Sequence, residues 1–244
     1  MRFMLLQGWP DAFVGLANYA NLLDDEVFWR SFLNTLAFAS VSISMGFIFS
    51  LGVALLLNMK LRGQGLLGAL IVFPYVLPSV VVALVWDTLY NEQFGVIRHL
   101  LLATGLVRQY NNPLANPATV LLALIIPVIW GSAPFFIVTL LAGLQNIPNQ
   151  LYEAAEIDGA GIFRQFWHIT LPLLKPTAVI CILLQTIWRF NHFDFVWLMT
   201  QGGPAHASEL LTTHSYRTTF SFYNVGYGTT ISAFLMFLVL PLVY

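Results

Sequence analysis

Five stretches of this sequence, at about 32–58, 66–90, 118–145, 176–199 and 225–244, are each long and apolar enough to cross a lipid bilayer. A hydrocarbon core about 30 Å thick needs roughly 20 such residues in a helix. The first stretch is free of charge between Arg30 and Lys60, and the second meets only Asp87. The third lies in the longest uncharged window of the chain, and the fourth contains Arg189, His192 and Asp194. Inside hydrocarbon every backbone N–H and C=O must be paired within its own element, so these stretches fold as helices and not as open strands. Their length, and the lack of strict alternation over about 10 residues, also exclude an outer-membrane barrel. Charged residues make up only 9% of the chain, against about 25% in soluble domains, so a soluble globule is excluded too. The fold class is therefore an all-α membrane protein with five spanning helices.

Charge and reactive side chains remove other functions. Ten Lys and Arg are scattered singly through a chain of net charge −1, which gives no basic face for nucleic acid; lipid is the partner that composition predicts. The single cysteine, Cys181, cannot form an internal disulfide. Residues 1–30 are not a secretory signal, because Gly8, Pro10 and Asp11 break the apolar run and no small-residue cleavage pattern succeeds it. His99, His168, His192, His206 and His214 have no metal-ligand spacing, and no clustered acid/base set marks a membrane-embedded enzyme. Neither a catalytic residue nor a metal ligand is expected. Of the self-contained classes open to such a chain, an ion-coupled secondary transporter is a stronger candidate than an enzyme, but the inverted repeats usual in that class are not visible.

Basic residues in short loops mark the cytoplasmic side. Lys60 and Arg62 crowd the first connection, and Arg164 and Lys175 lie in the third, so both are assigned inside. Asp24, Asp25 and Glu26 then fall outside, which divides the chain into an external N-terminal segment, 1–31, and a single transmembrane domain, 32–244. Trp9, Trp29, Trp167 and Trp197 read as interfacial anchors.

The connection 146–172 carries the most information. Asn146 can cap a helix, and Pro148 suits its first turn. Glu153, Glu156 and Asp158 make one side polar, while Leu151, Ala154 and Ala155 make another small and apolar. Gly159 and Gly161 stop this helix, and a second amphipathic helix continues until Pro172. Glu153-Ala154-Ala155, then Gly159, then Ile169-Thr170-Leu171-Pro172 fits without a gap the loop known by its E-A-A residues in permease subunits of binding-protein-dependent ABC importers. The runs at 13–19 (FVGLANY), 28–36 (FWRSFLNTL) and 198–204 (LMTQGGP) look like the carbohydrate, maltose-type branch of that family.

That resemblance implies a MetI/maltose-type permease fold in the bacterial or archaeal cytoplasmic (inner) membrane. It implies that Glu153, Ala154, Ala155, Asp158 and Gly159 form a coupling helix seated on a separate cytoplasmic ATPase. The partners it implies are an ATPase dimer, a second homologous permease subunit and an external, periplasmic solute-binding protein, which it places near Gly202-Gly203-Pro204. No G-x-x-x-x-G-K-[ST] occurs in this sequence, so no cofactor is expected in this chain, and ATP and Mg²⁺ belong to the partner. Members of that family usually carry one further spanning helix before 13–19 and a short tail after the last span. This sequence shows neither, which fits a longer protein or a five-helix subunit.

Polar residues at membrane depth are costly enough that each needs a reason. On the fourth stretch Gln185, Trp188, Arg189 and His192 fall at i, i+3, i+4 and i+7, one stripe of a helix. On the third, Gly131, Ser132 and Phe135 share a stripe, with Pro134 interrupting the backbone ladder. Hydrogen-bond donors beside an aromatic face suit a carbohydrate, and the resemblance places the substrate pocket between these same two helices. Arg189 stands where small or amide side chains are expected for neutral sugars, which raises an acidic sugar or a phosphorylated polyol.

Overall fold

The computed structural model describes residues 14–59 and 64–242; Trp9, Phe13 of the first motif and the basic pair Lys60 and Arg62 lie outside the described residues. A short helix α1 (Ala17–Leu23) leads into the first span, α2 (Glu26–Asn58). Asp25 caps α2 by accepting from Val27 N at 2.8 Å and Phe28 N at 3.1 Å, which pairs two of the amides that a helix start leaves free. Along α2 the buried Ser31, Thr35, Ala39, Ser42, Gly46, Ser50 and Ala54 recur every three or four residues. Lipid offers no hydrophobic drive between helices, so small residues that admit a neighbouring backbone decide where helices meet. The neighbour is α6, and Ser50 Oγ reaches Ala133 O on it at 3.4 Å.

The second span is not the single helix expected over 66–90. It is divided into α3 (Gln64–Val76) and α4 (Ser79–Leu89), which meet at 99°. Pro78 has no N–H to continue the ladder, its ring clashes with the carbonyl four residues back, and it keeps Leu77 out of helical geometry. After α5 (Val96–Ala103) the third span, α6 (Val120–Gln145), carries Pro127 and Pro134 inside it. Pro127 frees the carbonyl of Ala123, and the Tyr90 hydroxyl donates to that carbonyl at 3.0 Å, as burial in hydrocarbon requires.

Asn146 ends α6 and does not start the next helix; Pro148 takes the cap position of α7 (Asn149–Ile157). Beyond the turn, the expectation of an amphipathic helix stopping at Pro172 and a span running 176–199 does not hold. α8 (Ile162–Gln165), a π-helical turn (Phe166–Thr170) and α9 (Leu171–Phe190) form one continuous helix of 29 residues. In the π turn the N–H of Leu171 bonds back to Phe166 O, which re-registers the ladder immediately before Pro172. This span stops at Phe190, where the Asn191 amide donates to Ile187 O at 2.9 Å, and α10 (Asp194–Met199) is a separate helix. The chain closes with α11 (Leu211–Tyr216), a second π turn (Arg217–Ser221), α12 (Val225–Val239) and a 3-10 turn (Leu240–Leu242). Among the described residues three helices are individually long and apolar enough to span, the bent pair makes a fourth, and α12 is an apolar helix of 15 residues.

One core forms where α2, α6, α9 and α12 meet, around Phe28, Phe136, Leu140, Leu174 and Ile231. A second, around Phe38, Val82, Leu124, Phe195 and Leu210, joins α4, α6 and α10. Glycine spacing along α6 and α2 gives the packing a test. A Cβ on Gly143 meets Leu174 Cδ1 at 2.8 Å and Thr177 at 3.0 Å, whereas one on Gly46 meets nothing nearer than 3.7 Å. Gly143→Val is therefore expected to lower detergent-phase stability by about 1–3 kcal/mol, and Gly46→Ala to leave the melting midpoint unchanged or raised.

Candidate functional site

The two helix breaks, Leu77–Pro78 and Asn191–Phe193, face the same space. Pro74, Tyr75, Leu77 and Ser79 from the bent span, with His192 and Phe195 from the other break, line a cavity of about 270 Å³. Ser79 Oγ donates to Asp194 Oδ2 at 2.6 Å and so ties the start of α4 to the start of α10. Into this cavity α6 brings Gly131 and Ser132, and α9 brings Gln185, Trp188 and Arg189. The structure thus gathers six of the seven residues read from the two stripes. Phe135 does not line the cavity; it stands behind Trp188, ring centroids 5.0 Å apart in an edge-to-face pair. His192 lies past the end of its helix, yet still faces the cavity. Its ring is held between Phe38 at 5.5 Å and Phe195 at 5.3 Å.

The polar atoms here are buried and poorly satisfied. Arg189 is 4% exposed, and its Nη2 donates to Ser132 Oγ. Its Nε, both amide atoms of Gln185 and Nε2 of His192 have no hydrogen-bond partner. Native structures pair nearly all such groups, so these four atoms around one cavity are hydrogen-bonding capacity that the described residues leave unused. A larger open groove, about 790 Å³, runs between α11 and α12. Several of its hydroxyls are already engaged, as in Ser215 Oγ with Ser232 Oγ at 2.7 Å and Gly228 O at 2.8 Å, and of the stripe residues none lines it.

At the opposite end of α9 the segment 146–172 forms an exposed elbow. α7 ends in a Schellman turn: Gly159 N bonds to Glu156 O at 3.0 Å and Ala160 N to Ala155 O at 2.8 Å. The turn places Gly159 at φ +78, a left-handed conformation that disfavours any side chain with a Cβ. Glu153, Ala154, Asp158 and Gly159 are exposed and Ala155 is half-buried. Beside them Ile157, Ile162 and Phe163 stand more than four-fifths exposed. The elbow is fastened to the spanning helix by the hydroxyls of Tyr152 and Thr170, 2.9 Å apart, and by Gln165 Nε2 to Ala160 O at 3.0 Å.

A third feature is announced by no motif or spacing. Glu209, fully buried, receives Arg217 Nη1 at 3.0 Å and the imidazole of His206, with His214 Nδ1 at 3.6 Å. His214 Nε2 lies 3.5 Å from Asp25, which also accepts from the Tyr227 hydroxyl at 2.7 Å. Asn34 on α2 donates to the carbonyls of His206 and Glu209, both at 3.1 Å. This tie fixes the loop 200–210, in which Gln201, Ala205 and His206 adopt positive φ without being glycine. Gly202 is required there: at φ +82 a Cβ meets Glu209 Cβ at 3.2 Å. Burial raises the Glu209 carboxyl, but the imidazoles of His214 and His206 and the Arg217 charge outweigh it and hold the group below its ordinary value. Burial likewise opposes, and the Tyr227 hydroxyl, the Phe28 and Val27 amides and His214 overcome, the shift at Asp25, which is also lowered.

The structure is that of a multi-span helical membrane protein with a polar cavity set between helix breaks and an exposed elbow at the far end of one of its helices. The family described as Binding-protein-dependent transport system inner membrane component matches residues 34–244, and the chain belongs to that family. It is 40% identical over 231 residues to the trehalose/maltose transport system permease protein MalF of Thermococcus litoralis, a match covering 93% of this chain and 76% of that one. It is 34% identical over 230 residues to the sulfoquinovosyl glycerol transport system permease protein SmoG of Agrobacterium fabrum, covering 93% and 73%. Its fold matches a chain of a bacterial alginate ABC transporter in complex with alginate pentasaccharide-bound periplasmic protein, with TM-score 0.81, 25% identity and coverage of 94% and 80%.

The carboxyls of the loop tie titrate lower in the folded chain than unfolded, where they lie near pH 4. Their stabilisation is complete above that value and is lost as pH falls through the folded values. Arg217→Ala leaves a buried carboxylate without its guanidinium partner and is expected to cost about 3 kcal/mol or more. Glu209→Gln should cost less and should flatten the acid limb of a thermal-unfolding series below about pH 4.

Proposed function

We propose that this chain is one of two similar membrane subunits of an ATP-driven carbohydrate importer, forming half of the pathway while a separate ATPase pair binds ATP and Mg²⁺. The observation that carries this reading is the connection between elbow and cavity. Both sit on one uninterrupted helix: Tyr152 and Gln165 fasten the elbow to its base, and Arg189 lies near its other end. From Ile162 to Arg189 a helix rises about 40 Å, so a push on the elbow reaches the cavity wall without passing through a joint.

The elbow is suited to the ATPase. Its exposed Ile157, Ile162 and Phe163 form an apolar patch of the kind that marks a protein contact. Among them Glu153 and Asp158 offer charge, Ala154 and Ala155 allow close approach, and Gly159 fixes the angle. Membership in a binding-protein-dependent family supports an external solute-binding protein as a further partner, docking near the rigid 200–210 loop in the cytoplasmic (inner) membrane of a prokaryote. The carbohydrate substrate is supported by relatives named for trehalose/maltose and sulfoquinovosyl glycerol, and by the chemistry of the cavity. Trp188, backed by Phe135, offers a flat apolar face, and Gln185, Arg189, His192 and Ser132 offer polar atoms beside Gly131.

Replacing Gly159 by Val forces a β-branched residue into the left-handed region at a cost of about 1–2 kcal/mol. In proteoliposomes the variant is expected to bind solute normally at the external protein while ATP turnover no longer tracks uptake; normal coupling discards the lever. A chain carrying Glu153→Ala and Gly159→Val together is expected to lose its ATPase subunits on purification in detergent, and full retention of those subunits counts against the elbow as their seat.

A further inference from the structure

We infer that the solute held in the 270 Å³ cavity carries an oxyanion, and that Arg189 is the residue that holds it. This rests on reading the cavity as the transport site and adds the substrate's charge. A guanidinium does not give up its proton in a protein, so Arg189, 4% exposed, stays a cation in a wall whose other polar side chains, Ser79, Ser132, Gln185 and His192, carry no negative charge. At membrane depth such a cation costs at least about 2.5 kcal/mol unless it meets water or an anion. Its one hydrogen bond goes to the neutral hydroxyl of Ser132, its Nε has no partner, and among the described residues it makes no ion pair.

The elements packed around Arg189 provide no substitute for a ligand anion. α10 contributes Asp194, but that carboxylate is exposed, accepts from Ser79 Oγ at 2.6 Å and faces the start of α4, where it complements the helix dipole. α4 carries Asp87 near its other end, exposed. α3 and α6 contribute no acidic side chain, and the neighbouring break supplies His192, which cannot balance a positive charge. One turn before Arg189, Gln185 is fully buried with its amide unpartnered. An amide N–H₂ beside a guanidinium fork presents the donors that bind a carboxylate, sulfonate or phosphate edge-on. With Trp188 as the apolar face on the same stripe, the chemical class is a sugar acid or an acidic ester of a sugar or polyol.

The test is direct binding to the assembled importer in nanodiscs, which requires no ATP turnover. The probes are methyl galacturonoside and its neutral counterpart methyl galactoside, and sn-glycerol 3-phosphate against glycerol, read by calorimetry and by the thermal-unfolding midpoint. At least one anionic probe is expected to bind tenfold or more tightly than its neutral pair. Arg189→Gln is expected to bring that ratio to about one, and Arg189→Lys to keep most of it. Gln185→Glu, which places a carboxylate one turn from Arg189, is expected to remove the preference even if Arg189→Gln fails to fold. Equal affinity within both native pairs, failure of both anionic probes to bind, or a preference that survives Arg189→Gln overturns the inference. So does loss of the preference when phosphatidylglycerol is added to phosphatidylcholine discs, which assigns Arg189 to a lipid headgroup. Failure of the importer reading shows separately, as an elbow double variant that keeps its ATPase subunits.

Discussion

The constraint on which this structure depends is that hydrocarbon offers a backbone no partner. Every peptide group in the spans must be bonded within the protein, so a continuous helix is the default and each departure needs a local solution. The solutions here are specific. Ala123 O, released by Pro127, accepts from Tyr90; the π turn before Pro172 shifts the ladder by one residue; His192 O, released where α9 ends, accepts from Thr212 Oγ1 at 2.7 Å. Two departures are left as true breaks, after Val76 and after Phe190, and the cavity lies where they meet. Irregular backbone at this depth is tolerated where it lines a cavity, so the breaks and the site are two aspects of one feature.

How much of this was legible in the sequence depends on the range of the interactions. Apolar length identified the first and third spans because α2 and α6 are unbroken. It misjudged the second because hydropathy counts side chains and not peptide hydrogens; Pro74 and Pro78, four residues apart, were the available signal. The same blindness extended the fourth span to Met199, although Asn191, with an amide able to turn back to Ile187 O, sits where the helix stops. His192 was assigned to the cavity by a helical periodicity that does not apply to it. It reaches the cavity because the break is only a few residues long and Phe38 and Phe195 hold the ring in place.

The elbow was legible because it is local: Glu153 to Gly159 is a single helix and its terminal turn, and the positive φ of Gly159 is a consequence of the glycine itself. The loop tie was not legible at all. It joins residues as far apart as Asn34 and Glu209, 175 positions away, and Asp25 and Tyr227, 202 positions away. No spacing rule links a helix cap near one end of the chain to a hydroxyl near the other. Only the packing of α2 against α11 and α12 makes Asp25, His214, Glu209 and Arg217 neighbours, and only burial makes that neighbourhood strong enough to hold a loop with three non-glycine residues at positive φ.

With the cavity as the transport site proposed above, its unpaired groups also bear on how a solute can drive a change of shape at all. A ligand shifts a conformational equilibrium only by the difference in its affinity for the two states, and moving a population from 1:99 to 99:1 takes about 5.5 kcal/mol. Each buried polar group left unpaired costs about 1–3 kcal/mol, more when charged. Paired by solute in one arrangement of the spans and left unpaired in the other, the Gln185 amide, Arg189 Nε and His192 Nε2 would between them provide a difference of the required size. Burial of apolar surface would not serve as well, because a greasy wall meets lipid, solute or a neighbouring side chain with little discrimination. Walls drawn from α3, α4, α6, α9 and the break before α10 allow those few hydrogen bonds to act across separate elements, so the solute can favour one arrangement of the spans over another. At about 270 Å³ the cavity is small for a carbohydrate, and as a transport site it would gain more from orphaned polar atoms than from volume.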